Sequence, residues 1–189
     1  TLDKELNKEL SIINEKSIVL PLGEVKISRK VKSVLILFRT NSNVEIWDQN
    51  RKRVFEKPKI EYVLRSLYSL IKSIKKLKSE NKDIEIKLKI VDDNSNEENL
   101  KKLKNLLILS SLDFEIIGHM FNDHKNYIKE QKSSETFANL SSLLKSFEIG
   151  KTEGKDLVFF VEDDYLHFES ALEEMIATYE RIASQLNKE

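Results

Sequence analysis

Four short apolar runs punctuate this chain, and stretches of helical periodicity separate them. Residues 33–38 (SVLILF) are continuously apolar, the pattern of a strand buried on both faces. Residues 84–91 (IEIKLKIV) alternate and then turn apolar, which predicts a strand entering the core. Residues 113–120 (DFEIIGHM) predict a third strand, and residues 156–161 (DLVFFV) a fourth that is again fully apolar. Between the first two, Ile60, Val63, Leu64, Leu67, Leu70, Ile71, Ile74 and Leu77 form one wide helical stripe. Pro58 stands where a helix start tolerates proline. Residues 97–109 predict a second helix capped by Ser95 or Asn96. Residues 136–149 predict a third, stopped by Gly150 and Gly154, and a last helix runs from about Phe168 to Leu186.

The order is strand, helix, four times over. Strands joined by helical crossovers build a mostly parallel sheet covered on both faces, so the expected class is α/β. Leu2, Leu6, Leu10 and Ile13 predict an amphipathic helix ahead of this pattern, broken by Pro21 and Gly23. The expected organisation is therefore an N-terminal helix and linker over residues 1–30, packed on a domain spanning 31–189. Two polar stretches interrupt the regularity. Residues 39–57 are long for a loop and are expected to be functional or to hold a small hairpin around Val44–Trp47; residues 121–135 form the other.

Composition narrows the class. The chain has 189 residues, 40% apolar, with only 4 Gly and 2 Pro, which favours long helices over a turn-rich β sandwich. Its 32 basic and 32 acidic residues cancel, which argues against a protein that lives on non-specific nucleic-acid contacts. It has no Cys, so disulfides and thiolate metal sites are excluded. No apolar run reaches the roughly 18–20 residues of a membrane helix. The expected location is cytoplasmic, with any membrane association supplied by a partner or by a segment outside this sequence. The chain opens on Thr1 rather than Met, so it is expected to begin inside a longer protein.

Candidate chemistry gathers where the predicted strands stop. The first ends in Arg39, Thr40 and Asn41, the second in Asp92 and Asp93, the fourth in Glu162, Asp163 and Asp164. Ligands of open parallel sheets bind outside the carboxyl ends of the strands, where strand order reverses. Three consecutive carboxylates repel one another and need a cation or a set of donors. Hard divalent ions such as Mg²⁺ or Mn²⁺ take one or two carboxylates together with substrate phosphates. Asp92-Asp93-Asn94-Ser95 is a weaker signal alone, because turn formation and capping explain it well; its functional reading is a carboxylate that accepts from a base N–H or a ribose hydroxyl. Arg39 is expected to pair with Asp92 or Asp93, or to form a fork to phosphate or base. Arg51, Lys52, Arg53 and Lys57 read as a solvated basic loop, Trp47 as core or loop anchoring. His119, His124 and His167 lack metal-ligand spacing and read as ordinary, with His167 notable for its place three residues after Asp164.

The segments VLILFRTNS, KIVDDNSNEENLKKL and FFVEDDYLH together resemble the GT-A glycosyltransferases, the nucleotide-sugar transferases with a Rossmann-like donor half, over roughly residues 31–185. The middle segment is similar to the family-2 second strand and turn, and EDD to the metal motif usually written DxD. The resemblance implies a three-layer sandwich, a nucleotide-diphosphate sugar as donor, Mn²⁺ or Mg²⁺ as cofactor, and a glycan, lipid-linked or protein acceptor. It implies that Arg39 and Thr40 line the nucleotide pocket, that Asp93 contacts the base and Asp92 supports its turn. Glu162 and Asp163 would lie near ribose and diphosphate, and Asp164 would be the direct metal ligand. The sequence ends 25 residues after Asp164, where the family continues into an acceptor-binding half that supplies the catalytic base of inverting members. No catalytic base is assigned. The rival expectation is a non-catalytic α/β interaction module of the same fold.

Overall fold

The structure is a computed structural model and describes residues 26–43, 55–118, 124–128 and 134–186. The helix expected over residues 1–18, the hairpin around Val44–Trp47, the residues Arg51, Lys52 and Arg53, and His119 lie outside them. The elements run β1 (Ser33–Thr40), α1 (Lys59–Glu80), β2 (Glu85–Asp92), α2 (Glu97–Ser110), β3 (Phe114–Gly118), α3 (Ser134–Glu153), β4 (Leu157–Glu162) and α4 (Ala171–Leu186). The four strands form one sheet in the order β3-β2-β1-β4, and every pairing is parallel. This is an α/β fold of Rossmann-like three-layer type.

Two compact units divide the chain. The larger, Val31–Glu173, holds the sheet, α1 to α3 and the first residues of α4. The smaller includes residues 26–30 and the rest of α4; within it Ser184 Oγ accepts from the backbone N–H groups of Ser28 (3.0 Å) and Arg29 (3.1 Å), and Lys30 pairs with Glu180.

β1 is the spine of the sheet. Leu35, Ile36, Leu37 and Phe38 are all buried, as the unbroken apolar run requires. One layer places α3 against β1 and β2, where Leu35, Leu37, Val91 and Ile149 form a buried cluster with Ile117 and Val158 beside it. α1 buries Ile60, Val63, Leu67, Leu70, Ile71, Ile74 and Leu77, and with them two serines, Ser66 and Ser73. Ser73 Oγ accepts from the N–H of Leu172 at 3.0 Å. Asn96 caps α2, its side chain accepting from Asn99 N at 2.9 Å.

Two details differ from the sequence pattern. β4 is not buried on both faces: among the described residues it pairs with β1 alone, and Phe160 is 41% exposed. An apolar run carries no information on whether its strand lies at the centre or the edge of a sheet. α3 also does not stop at Gly150 but continues to Glu153. Gly150 serves close approach instead of termination. A Cβ there would lie 3.0 Å from the ring of Phe160 and 3.2 Å from Val158; at Gly154 it would lie 2.4 Å from both the Gly150 carbonyl oxygen and Val158.

The two glycines should respond differently to alanine. At Gly154 the obstructing atom is backbone, so Gly154→Ala is expected to cost about 1–3 kcal/mol, the usual cost of overpacking. At Gly150 the nearest atom is the tip of a partly exposed ring that can move aside, and alanine gains about 1 kcal/mol of helix propensity. Gly150→Ala is therefore expected to be near neutral. Urea denaturation of both variants checks this, and equal losses would contradict it.

Candidate functional site

β2 and β3 lie on one side of β1 and β4 on the other, so the chain changes direction across the sheet between β1 and β4. That is the switch point at which carboxyl ends of parallel strands leave a crevice. Arg39 and Thr40 close β1, opposite Glu162 on one side and Val91 and Asp92 on the other.

Arg39 pairs with neither Asp92 nor Asp93. Its guanidinium forms an ion pair with Glu162 and is held from α3 by the Asn139 carbonyl oxygen (2.9 Å), the Asn139 side-chain oxygen and Ser142 Oγ (3.2 Å). The register explains the choice: Arg39 and Glu162 are direct neighbours across the parallel ladder and share a face. Thr40 projects to the opposite face and donates its hydroxyl to Asp163 Oδ2 at 2.9 Å.

Asp163 is 8% exposed and fully engaged. Oδ2 also accepts from the Asn41 N–H at 3.2 Å, and Oδ1 accepts from Lys59 Nζ at 2.6 Å. Lys59 is the first residue of α1, so the helix that follows β1 returns a cation to the end of β4. The carboxylate run thus divides three ways: Glu162 takes Arg39, Asp163 takes a set of donors, and Asp164, in the turn after β4, is exposed.

The turn after β2 is stitched to the turn after β1. Asp92 Oδ2 accepts from Ser95 N at 3.0 Å, Ser95 Oγ accepts from Ser42 N at 2.9 Å, and Asn99 Nδ2 donates to Ser42 Oγ at 2.9 Å. Asn41 Nδ2 donates to Asp93 Oδ2 at 3.3 Å, and Asn43 Nδ2 to the Asn94 carbonyl oxygen at 2.7 Å. Asn94 adopts φ 60°, a left-handed conformation that asparagine tolerates. Asn41 therefore joins Asp93, through its side chain, to Asp163, through its backbone. All six residues expected to bind a donor, Arg39, Thr40, Asp92, Asp93, Glu162 and Asp163, meet at this end of the sheet.

Asp92 and Asp93 are 3% and 5% exposed. Burial pushes both carboxyls above the usual Asp range. The Ser95 hydrogen bonds oppose this for Asp92 and the charge of Asp163 adds to it; the Asn41 hydrogen bond and Arg39 oppose it for Asp93 and the charge of Asp92 adds to it. Asp92 Oδ1 is buried without a hydrogen-bond partner. A carboxyl raised by folding favours the fold below its ordinary pKa and costs stability as pH rises through the raised value. The stability gain of Asp92→Asn over wild type should therefore grow as pH rises from 3.5 to 6. Melting temperatures of both proteins across that range check this, and a constant offset would remove the buried-charge account.

The histidines take structural places. The His167 ring is edge-on to Phe159, and the His167 backbone N–H donates to Ser69 Oγ at 2.9 Å; burial lowers the pKa of the ring. His124 bridges Ser141 Oγ (2.9 Å) and Glu148 (3.1 Å). That serine, histidine and carboxylate have the order of a nucleophilic triad, but Ser141 is 0% exposed on α3 and out of reach of a substrate. Beside Arg39 and Glu162 opens a cleft of about 590 Å³, lined by Leu37, Leu143, Ser146, Phe159, Phe160, Val161, Tyr165, Leu166 and His167.

Nothing in the sequence singles out Lys59, Asn139 or Ser142, and Asn41 is marked there only as part of the polar end of the first strand. Lys59 is one of many lysines, and nothing in its local pattern marks the ion pair it makes 104 residues away.

Among the described residues no group of three or more His, Asp or Glu side chains is set to hold a metal ion by itself. Asp164 is an exposed carboxylate directly after the ladder; a single carboxylate holds Mg²⁺ or Mn²⁺ only together with phosphate and water oxygens. Comparison with protein-family models, curated proteins and solved structures finds no match for the chain.

Proposed function

We propose that this chain is the donor-binding part of a metal-dependent glycosyltransferase, taking a nucleotide-diphosphate sugar at the β1/β4 switch point with Mn²⁺ or Mg²⁺. The observation that carries it is that Arg39, Thr40, Asp92, Asp93, Glu162 and Asp163 meet at the carboxyl ends of β1, β2 and β4, with Asp164 exposed in the turn that follows β4. Asp93 accepts hydrogen bonds from the base, and Asp92 holds the turn that presents it. Asp164 ligates the divalent ion, which when bound supplies charge that neutralises the diphosphate leaving group. Arg39 already carries a guanidinium fork suited to phosphate and needs only to exchange Glu162 for it. The neighbouring cleft has the volume of a small-molecule site and offers room for the transferred sugar.

One observation favours the rival, a binding module without transfer: Glu162 and Asp163 are already satisfied by protein cations and donors. Calorimetric titration separates the two. A uridine or other nucleoside diphosphate is expected to bind the wild-type protein with Mn²⁺ and at least about tenfold more weakly with chelator. Asp93→Ala should weaken binding about tenfold, the scale of one or two lost hydrogen bonds to a charged group, while the fold persists. Absence of binding by every nucleoside diphosphate, with and without Mn²⁺, would leave the module in possession.

A further inference from the structure

We propose that His167 is the general base of the site: its Nε2 takes the proton of the hydroxyl that attacks the donor sugar. The inference rests on the donor-site reading above and supplies the group that reading leaves unassigned.

His167 lines the cleft that opens beside Arg39 and Glu162, so its ring and the ends of β1 and β4 border one space. Its structural place uses only one side of the residue. The backbone N–H donates to Ser69 Oγ at 2.9 Å, and the ring stands edge-on to Phe159. Ser69 Oγ in turn donates to the Ser66 carbonyl oxygen at 2.7 Å. Its one proton is thereby used, so toward His167 Nδ1, 3.5 Å away, it presents a lone pair. That favours the tautomer with the proton on Nδ1 and the lone pair on Nε2. Among the described residues Nε2 has no hydrogen-bond partner.

Other polar groups of the cleft are poorer proton acceptors. Arg39 has no lone pair to offer, and Glu162 is held by its guanidinium. Ser146 Oγ is buried and donates to the Ser142 carbonyl oxygen at 2.9 Å. Burial pushes the His167 imidazole below its ordinary value, so at neutral pH it is mostly uncharged and able to accept. The charged and titratable groups around it are Arg39 and Glu162, paired with each other, Tyr165 of the same lining, and Lys72, one turn after Ser69 on α1 and paired with Glu169. None of them reverses that shift.

The acceptor hydroxyl is the co-reactant of the step. Its oxygen bonds to the sugar carbon and its proton passes to Nε2. The bond from that carbon to the diphosphate breaks, and the electron pair leaves with the diphosphate. A positioned base of this kind is worth about 10²–10⁴-fold in rate.

Water serves as the acceptor in the test, and UDP-glucose, UDP-N-acetylglucosamine and GDP-mannose with Mn²⁺ serve as donors. Wild type is expected to release nucleoside diphosphate with an acid limb below about pH 6.5. His167→Gln should bind the same donor within about twofold by calorimetry, release it about 100-fold more slowly above neutral pH, and lose the acid limb. A merely structural histidine would lower the melting temperature and leave the pH profile in place. A donor that binds but is cleaved by neither protein, or by both with the same rate and acid limb, overturns the base and leaves the donor reading standing. Failure of all three donors to bind removes the donor reading, and the base with it. Histidine nitrogen NMR of the metal-free wild type decides the matter should the variant not fold. The neutral ring is expected to carry its proton on Nδ1 and to titrate below about 6.5. A proton on Nε2, or titration above that value, overturns the proposal whatever the nucleotide does.

Discussion

Asp164→Asn is expected to leave the fold intact and to lower Mn²⁺-dependent affinity for a nucleoside diphosphate by at least about tenfold, the smallest loss seen when even an outer partner of a metal is removed. Asp164 is exposed in the turn that follows β4, so it contributes little packing. The substitution removes the anionic oxygen that the donor-site reading assigns to the ion, at nearly constant volume. It also removes like charge beside Glu162 and Asp163, which favours the metal-free protein slightly. On the same reading the contacts of Asp93 to the base do not depend on the ion, so the residual affinity in chelator should equal that of wild type. The titration is run on both proteins with Mn²⁺ and with chelator. Full retention of metal dependence in Asp164→Asn would place the ion elsewhere. No metal dependence in wild type would make Asp164 an ordinary surface residue and move the interaction module ahead.

Much of the fold could be read from local patterns because the strongest elements are the most regular. The run Val34–Phe38 is buried on both faces, and the α1 stripe buries seven of the eight apolar positions expected of it, Leu64 being only half-buried. Strand order is a different kind of fact. The run Leu157–Val161 looks like Val34–Phe38 in composition, yet one lies at an edge of the described sheet and the other at its centre. Nothing local separates a glycine that ends a helix from one that lets a helix touch a strand, and Gly150 is of the second kind. The candidate site divides in the same way. The polar residues at strand ends are visible because they interrupt apolar runs. Their partners are not, because Arg39 and Glu162 lie 123 residues apart and are matched by ladder register alone. Three consecutive carboxylates need a cation or donors; the structure provides a cation and donors for Asp163 and a cation for Glu162, and leaves Asp164 exposed.

Asp163→Ala should have the largest effect on stability of any change in the crevice, about 2–4 kcal/mol, although its neighbour Asp164 should cost less than about 0.5 kcal/mol. The difference follows from burial and partners. Alanine at 163 deletes the acceptor of Thr40 Oγ1, Asn41 N and Lys59 Nζ at once. Thr40 is 2% exposed, so its hydroxyl would lose its acceptor in a buried setting. Lys59, whose side chain is 18% exposed, loses its counter-charge and must swing outward or find Asp92. That freedom, together with the relief of repulsion on Asp92, keeps the loss at the lower end of what breaking a buried ion pair costs. Asp163→Asn keeps an acceptor for Thr40 and Asn41 and gives up only the charge, so it should fall between alanine and wild type. Urea denaturation should show the midpoint falling in the order wild type, Asp163→Asn, Asp163→Ala, with the slope unchanged because the same surface is exposed on unfolding. A midpoint for Asp163→Ala within error of wild type would mean that this carboxylate holds nothing together in the folded protein.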